Sequence, residues 1–356
     1  MKTEWKNFLQ QRGAEWTDPD APLAHFGNPA QELSVTLTGE VLVDLGHRGL
    51  IAISGEEAEG FLQNLLSNDV RLVSDTQSQL TSLNTPKGRM LALMRLFKRE
   101  GVFYLSLPRS MVEPTLKRLR MYVLRSKVSL EAANDALVSY GLSGTHAAER
   151  LRQVLGNVPA APDMVQHGAG VSIIRLPCGR ADQQRFELYG ELEPMQKLMQ
   201  ALDVHATPVS STSWELLETL AGLPEVYPET LEAFVPQMAN LERVGGVSFK
   251  KGCYPGQEIV ARMHYLGKPN RRMVLLRAQD ADSAMPGQAV LTTAGEAAGD
   301  VVRAAPHPDG GCVLLAVLRL TAFMPNQDEP GLHLGTVDGA RLSHLPLPYT
   351  LEDVAE

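Results

Sequence analysis

The stretch Val247-Ser-Phe-Lys-Lys-Gly-Cys-Tyr-Pro-Gly-Gln-Glu-Ile-Val-Ala-Arg-Met263 lies just before a change in the texture of the sequence. Its two glycines, Gly252 and Gly256, permit a close approach or a backbone conformation that other residues avoid. Pro255 followed by Gln-Glu-Ile-Val-Ala-Arg predicts the first turn of a helix, because proline is favoured at the first helical position. The stretch therefore predicts a tight loop that leads into a helix.

Cys253 would lie just before the N-terminus of that helix. The helix dipole and the neighbouring Lys250 and Lys251 would both favour the thiolate, which is the nucleophilic and metal-binding form of cysteine. The alternative is that Cys253 is a small buried hydrophobic side chain, and the residues alone leave it open. The chain has three cysteines, and neither a disulfide framework nor a metal site fits their number and spacing. Any thiol chemistry would then belong to a single cysteine.

Downstream of Arg272 the sequence breaks into short strand candidates separated by proline and glycine turns. This even spacing is typical of a small all-β barrel or sandwich. We therefore expect a domain boundary near residue 270. The predicted strands are Met273 to Arg277, Ala289 to Thr292, Asp300 to Arg303, Cys312 to Leu318 and Leu332 to Leu334.

Upstream, strands and helices alternate irregularly. Two strand candidates, Met90 to Phe97 and Val102 to Leu107, flank a turn-like Lys98-Arg99-Glu100-Gly101 and predict a hairpin. Hairpins mixed with helices favour an α+β arrangement over a doubly wound parallel sheet. The other predicted elements are a strand-like stretch at 41–53, a helix that follows a capping box at 54–57, helices at 111–124 and 214–221, an amphipathic stretch at 192–202, and strands at 171–176 and 186–189.

Composition and charge narrow the range of possible functions. The 356 residues are 44% hydrophobic and 21% charged, which are globular proportions. The charged N-terminus and the lack of any apolar run of about 20 residues predict a cytoplasmic protein without a membrane span. A net charge of -8 argues against a general affinity for nucleic acid.

The charge is uneven, however. Between Arg243 and Arg272 the sequence has seven basic residues and one acid, Glu258. This excess would attract an anionic ligand or partner, although charge runs are often only a solvated surface. A direct role in tRNA binding has little support in the sequence, because no aromatic stacking platform or known RNA module accompanies the charges.

The segment Lys251-Gly-Cys-Tyr-Pro-Gly-Gln-Glu258 resembles the signature K-G-C-Y-x-G-Q-E of the YgfZ-type folate-binding proteins, which are relatives of the glycine-cleavage T-protein. The resemblance extends from about residue 41 to the end of the chain. Its other parts are Ser54-Gly55, Phe61-Leu62, Asn68-Asp69-Val70, Ala221-Gly-Leu-Pro224, Phe234-Val-Pro-Gln-Met-Ala-Asn-Leu241 and Pro346-Leu-Pro-Tyr-Thr-Leu-Glu352.

The resemblance implies a three-domain ring with two intertwined α+β units and a C-terminal β-barrel. On this chain it implies a folate-binding core at 1–270, with an internal boundary near 125–130, and a barrel at 271–356. It also implies a role that depends on tetrahydrofolate: the assembly or repair of iron-sulfur clusters in client proteins, including enzymes that modify tRNA. The functional hallmarks of the family fall on Cys253 and Lys251.

A folate-dependent aminomethyltransferase is the competing interpretation. T-proteins carry two aspartates in the pattern N-x-x-G-G-x-x-D-D, and this chain has Leu91 and Ala92 at those positions. Their R-x-E-A-G motif likewise becomes Glu218-Thr-Leu-Ala-Gly222. Because a carboxylate near the pterin handles protons in the transfer, we expect folate binding without the transfer chemistry.

Glu187 resembles the glutamate by which T-proteins hold the pterin, since a carboxylate can pair with N3–H and the 2-amino group. The alternative is an outward side chain on a strand, and Arg180 replaces the accompanying tyrosine. We expect Arg262, with Arg271 and Arg272, to meet the anionic glutamate tail of folate. The other residues expected at the folate site are Asn84, Tyr254, Gln257 and Glu258.

Overall fold

The computed structural model describes residues 3–18, 21–265, 267, 269–322 and 331–351. The described chain mixes helices and strands, which confirms the predicted α+β class. Its helices are α1 (Thr3–Gln10), α2 (Pro29–Thr38), α3 (Ala58–Gln63), α4 (Val112–Arg120), α5 (Ala147–Leu155), α6 (Leu192–Leu202), α7 (Ser211–Leu220) and α8 (Gln257–Tyr265). None of them is both long and apolar enough to cross a lipid bilayer.

Strands β1 to β11 precede α8 in the chain. They are β1 (Val41–Asp44), β2 (Arg48–Ser54), β3 (Gln79–Asn84), β4 (Met90–Arg99), β5 (Val102–Pro108), β6 (Ser129–Ala132), β7 (Val138–Gly144), β8 (Val165–Gly168), β9 (Val171–Leu176), β10 (Gln184–Gly190) and β11 (Thr207–Val209). Strands β12 to β17 follow α8. They are β12 (Arg271–Ala278), β13 (Ala289–Thr292), β14 (Ala297–Pro306), β15 (Cys312–Arg319), β16 (Leu332–Leu334) and β17 (Arg341–Leu345).

The chain forms two compact units, each assembled from separate segments. The first unit comprises Met1–Phe61, Arg71–Gln79 and Met94–Leu217, and the second comprises Leu62–Val70, Leu80–Leu93 and Glu218–Glu356. The boundaries expected near 125–130 and 270 stay predictions.

The first unit contains a six-stranded sheet in the order β11-β1-β7-β10-β9-β8. Successive side chains of a strand point to opposite faces, and β10 follows this rule. Phe186 and Leu188 pack with α1, α5 and α6 in one apolar core. Tyr189 lies in a second core with Phe97 and Trp214. Glu187 alternates with Phe186 and Leu188 and so belongs to the Tyr189 face.

The strand-like stretch 41–53 is two strands rather than one. β1 pairs with β7 in the six-stranded sheet, whereas β2 pairs with β5 and β6. The break falls at a turn in which the backbone N–H of Arg48 donates to the carbonyl of Leu45 at 2.8 Å. The hairpin of β4 and β5 is confirmed, and its turn residues Glu100 and Gly101 have φ of 52° and 80°. Positive φ at both central residues is typical of two-residue hairpin loops.

The second unit contains a closed barrel in the order β12-β15-β14-β13-β16-β17. Its interior is filled by aliphatic side chains that include Val274, Leu276, Val290 and Leu314. The predicted C-terminal barrel is therefore confirmed. The five predicted strands are present, and β17 is an additional strand that the sequence pattern did not indicate.

Candidate functional site

The loop before α8 is fixed by one glycine. Gly256 has φ of 81°, and a β-carbon there would lie 2.4 Å from the carbonyl oxygen of Thr85 and 2.6 Å from Cα of Gly88. Only glycine tolerates both the conformation and the contact. The loop is thus seated on the turn between β3 and β4. Gly252, in contrast, has open space where a side chain would be.

Lys251 turns inward and is 6% exposed. Its Nζ donates to the carbonyl oxygens of Gln63 at 2.6 Å, of Leu66, and of Asn68 at 3.1 Å. The same Nζ lies 5.2 Å from the centre of the Tyr254 ring. An ammonium group has three donors, so these carbonyls occupy its hydrogen-bonding capacity. Lys251 ties the loop to the segment at 63–68, and its predicted part in chemistry stays a prediction.

Cys253 is exposed, whereas Cys178 is half-buried and Cys312 is buried. Burial raises the pKa of the Cys178 and Cys312 thiols, so neither is favoured as a thiolate. Residues 254–256 separate Cys253 from the first residue of α8. The helix dipole falls off within one turn, and it therefore contributes less at Cys253 than the sequence predicted. Cys253 is nevertheless the accessible thiol of the three.

Two buried polar groups beside this loop lack a protein partner. Asn84 is 1% exposed, and its Oδ1 accepts from Oγ of Ser82 at 3.0 Å. Among the residues that the structure describes, none partners Nδ2 of Asn84 or the hydroxyl of Tyr254. Burial raises the pKa of Tyr254 to about 12, so this hydroxyl is a neutral donor. Buried polar groups are rarely left unpaired in native proteins, so the amide of Asn84 and the phenol of Tyr254 are candidates for contact with a polar ligand.

The remaining predicted residues of the loop lie on or beside α8. Gln257 is half-buried, and its Nε2 donates to the carbonyl of Lys251 at 3.4 Å. Glu258 and Arg262 are exposed. Arg272 is buried, donates to the carbonyl of Gln237 at 2.8 Å and forms an ion pair with the carboxylate of Glu242. Arg272 is therefore held by partners within the protein, which contradicts its expected contact with an anionic tail, whereas Arg262 is exposed.

Glu187 belongs to the first unit and is 2% exposed, which excludes the outward orientation. Its Oε2 accepts from the hydroxyl of Tyr189 at 2.8 Å and lies 3.8 Å from Nε of Arg95. Arg95 also pairs with Asp163, at 2.5 Å. Burial acts to lower the pKa of Arg95, but Asp163 and Glu187 raise it above its ordinary value. The Tyr189 pKa is raised well above its usual range by burial and by Glu187.

The sequence motifs did not indicate the partners of Glu187. Arg95 is a buried cation within the apolar run of β4, and a lone charge in such a run was the available signal. The structure also places the two positions at which the sequence has Leu91 and Ala92 in place of aspartates. Leu91 and Ala92 are buried in β4, and neither side chain can transfer a proton. The carboxylate of Glu218 in α7 is not free either, because its Oε2 accepts a hydrogen bond from Nη2 of Arg303 at 2.7 Å.

Of the ten residues expected at the site, nine lie in the second unit. These are Asn84, Lys251, Cys253, Tyr254, Gln257, Glu258, Arg262, Arg271 and Arg272; the tenth, Glu187, lies in the first unit. Within the described ranges, no group of three or more histidine, cysteine, aspartate or glutamate side chains is placed to hold a metal ion.

Comparisons with known proteins give a consistent result. No family model matches the sequence. Proteins named tRNA-modifying protein YgfZ from Colwellia psychrerythraea and Klebsiella pneumoniae are 31% and 32% identical to the chain. The alignments cover 87% and 91% of this chain and 93% and 98% of those relatives.

Among solved structures, the glycine cleavage system aminomethyltransferase T from Bartonella henselae aligns with a TM-score of 0.72. The alignment covers 97% of this chain and 96% of that protein at 20% sequence identity. At this identity the likeness concerns the fold, and it confirms the predicted T-protein-like architecture.

Proposed function

The chain belongs to the YgfZ family, and from this premise we propose that it is a cytoplasmic, tetrahydrofolate-binding accessory protein. In this proposal it supports the assembly or repair of iron-sulfur clusters in client enzymes, including enzymes that modify tRNA. The names of its relatives, which refer to tRNA modification, support the choice of clients. The resemblance of Lys251–Glu258 to the signature of folate-binding proteins supports a folate ligand.

The observation that carries the folate proposal is the pair of unpartnered polar groups beside Cys253. The amide nitrogen of Asn84 and the hydroxyl of Tyr254 are buried, yet no described residue pairs with them. A buried donor without a partner costs about 1–3 kcal/mol, and a ligand that accepts from it removes this cost. A pterin presents ring nitrogens and a carbonyl oxygen that can accept. Asn84 and Tyr254 would hold this part of tetrahydrofolate, which supplies a nitrogen that carries one-carbon groups.

Glu187 supports the proposal in a different manner. Its carboxylate is buried and oriented by Tyr189 and Arg95, so it is a preorganised acceptor for an N–H group. Preorganisation lowers the entropy lost on binding. Glu187 is therefore a separate candidate acceptor for a pterin N–H group, and in the second unit Arg262, exposed on α8, is the candidate for the glutamate tail.

Cys253 is the residue that we assign to the client reaction. It is exposed and lies next to the polar groups that we assign to folate. As a lone thiol it can provide one ligand to a cluster whose other ligands come from a client protein, because a thiolate is the form of cysteine that binds metals. Aminomethyl transfer is not proposed, since Leu91 and Ala92 offer no carboxylate for proton handling.

The test is calorimetric titration of the full chain with tetrahydrofolate, with an aminomethyl-transfer assay on the same samples. We expect micromolar binding that Glu187→Ala weakens and that Cys253→Ala leaves unchanged, with no turnover. Cys178→Ala is the matched control for the loss of a thiol. Measurable turnover would overturn the assignment as an accessory protein and indicate an aminomethyltransferase. Absence of binding to the wild-type chain would overturn the folate assignment.

A further inference from the structure

Three aromatic rings meet at the end of α8, on the second unit. The rings of Phe249 and His264 are stacked with centroids 3.7 Å apart and an angle of 9° between their planes. Tyr265 contacts both rings edge-on, with centroids 4.7 Å from His264 and 6.2 Å from Phe249. His264 is exposed, and Tyr265 is 65% exposed. Phe249 is half-buried. Two of the three rings are thus exposed, and such a cluster offers an aromatic surface to a partner.

Exposed cations surround the same helix. Lys250 directly follows Phe249, Arg262 lies one turn before the end of α8, and Lys87 occupies the turn that is packed against Gly256. Among the described residues, none of these three cations forms an ion pair within the protein. The acid of α8 is Glu258, in its first turn. We call this surface the aromatic–basic rim, and it consists of Lys87, Phe249, Lys250, Arg262, His264 and Tyr265.

We propose that the aromatic–basic rim binds an unpaired stretch of RNA, with a tRNA loop as the expected source. Lysine and arginine contact phosphates, and exposed aromatic rings stack on unpaired bases. An acidic peptide would engage the cations but would leave the rings unused, and RNA is therefore the favoured partner. The choice of tRNA rests on the proposed function, because it comes from the names of the relatives. Arg262 is shared with the proposed folate tail, whereas the three rings, Lys87 and Lys250 have no part in the folate proposal.

The sequence argument against RNA rested on the lack of an aromatic platform, and the fold supplies one. Phe249 precedes the loop and His264 follows it, so the rings meet only when the loop and α8 fold back together. The chain as a whole has a net charge of -8, which disfavours general adhesion to nucleic acid. Binding confined to one rim of the second unit is compatible with that charge.

The experiment is fluorescence anisotropy of an end-labelled, unmodified tRNA transcript titrated with the full chain over a series of salt concentrations. We expect Tyr265→Ala to weaken binding about 5- to 100-fold, the usual loss for one stacked base. Lys250→Ala and Arg262→Ala should each lower the slope of log affinity against log salt by about one. The matched controls are Lys117→Ala, in α4 of the first unit, and Tyr122→Ala, two residues beyond that helix. They should change neither the affinity nor the salt slope.

Two results would overturn the proposal. One is the absence of salt-dependent binding, or control variants that lose as much affinity as the rim variants. The other is a polyglutamate peptide that displaces the chain as well as unlabelled single-stranded RNA does, which would make an acidic protein the partner. Calorimetry of Tyr265→Ala with tetrahydrofolate separates this proposal from the proposed function, because folate binding should be unaffected. If Tyr265→Ala loses RNA binding but keeps folate binding, the RNA effect belongs to the aromatic–basic rim alone.

Discussion

Buried polar groups are paired around the strand that carries Glu187, but some of them are unpaired around the loop that carries Cys253. In the first unit, Glu187 accepts from Tyr189 and faces Arg95, so that a charged group is held by partners made for it. In the loop of the second unit, Lys251 is bound by carbonyl oxygens, yet Asn84 and Tyr254 nearby are buried with a group unpaired. A fully satisfied polar network gives a fixed geometry, whereas an unpaired group at equal depth is costly. The difference shows which buried polar side chains are oriented by protein partners and which have a group that no described residue pairs.

The largest effect should come from Lys251, the charge that holds the loop. Lys251→Met leaves the carbonyls of Gln63, Leu66 and Asn68 without their cation. A buried acceptor that loses its donor costs about 1–3 kcal/mol, so we expect the loss of these contacts to lower the free energy of unfolding by about 3 kcal/mol or more. Urea denaturation of the full chain measures it. Lys250→Met is the matched control, and as an exposed neighbour it should change stability by less than about 0.5 kcal/mol. Equal effects of the two variants would contradict a structural role for Lys251.

Glu187→Ala should have the next largest effect, because it removes one of two carboxylates that face Arg95. Asp163 remains as a partner, so we expect a loss of about 2 kcal/mol in the free energy of unfolding. Glu187→Gln is the sharper comparison, since it keeps an oxygen for the Tyr189 hydroxyl while it removes the charge. We expect Glu187→Gln to be intermediate in urea denaturation. A loss as large as that of Glu187→Ala would show that the charge, and not the hydrogen bond, orients this cluster.

Local pattern was sufficient to predict much of the fold. The bounds of β9, β13 and β16 agree with the predicted strands, because alternation and flanking glycine or proline residues fix such elements locally. The split of 41–53 into β1 and β2 was not predictable in this manner, since it depends on which strands lie alongside. The strand β17 was missed because mostly polar side chains surround its single buried leucine, Leu342.

For the site, residue types were predictable and directions were not. The signature placed Lys251 and Cys253 close together, but the acceptors of Lys251 come from residues 63–68, far away in the sequence. The turn of Lys251 toward the interior therefore depends on tertiary contacts. The stack of Phe249 on His264 has the same origin. Buried Asn84 and Tyr254 could be named from the resemblance, but their unpaired groups appear only when every neighbour has been placed.

Tyr254→Phe sharpens the comparison from the side of the loop. The hydroxyl is buried and has no partner among the described residues, so its removal should not destabilise the protein and should raise the free energy of unfolding by about 1 kcal/mol. If the hydroxyl donates to the ligand, tetrahydrofolate should bind about 2- to 10-fold more weakly, the usual worth of one hydrogen bond. Calorimetry and urea denaturation of the same protein measure both quantities. A clear loss of stability with unchanged affinity would mean that the hydroxyl serves the fold.

The smallest effect at neutral pH, and the most specific, is the titration of Tyr254 itself. Burial raises its pKa to about 12, above the value of about 10 in an unfolded chain. The folded protein therefore favours the neutral phenol, and this contribution to stability is fully present below pH 10 and is lost as the pH rises toward 12. The wild type should lose stability faster than Tyr254→Phe above pH 10, with no such difference at pH 7. In an ultraviolet titration, the wild type should gain phenolate absorbance near pH 12 that the Tyr254→Phe variant does not gain. If the absorbance difference between the two proteins appears near pH 10 instead, water reaches the Tyr254 hydroxyl. The contrast between this loop and the Glu187 cluster would then be lost.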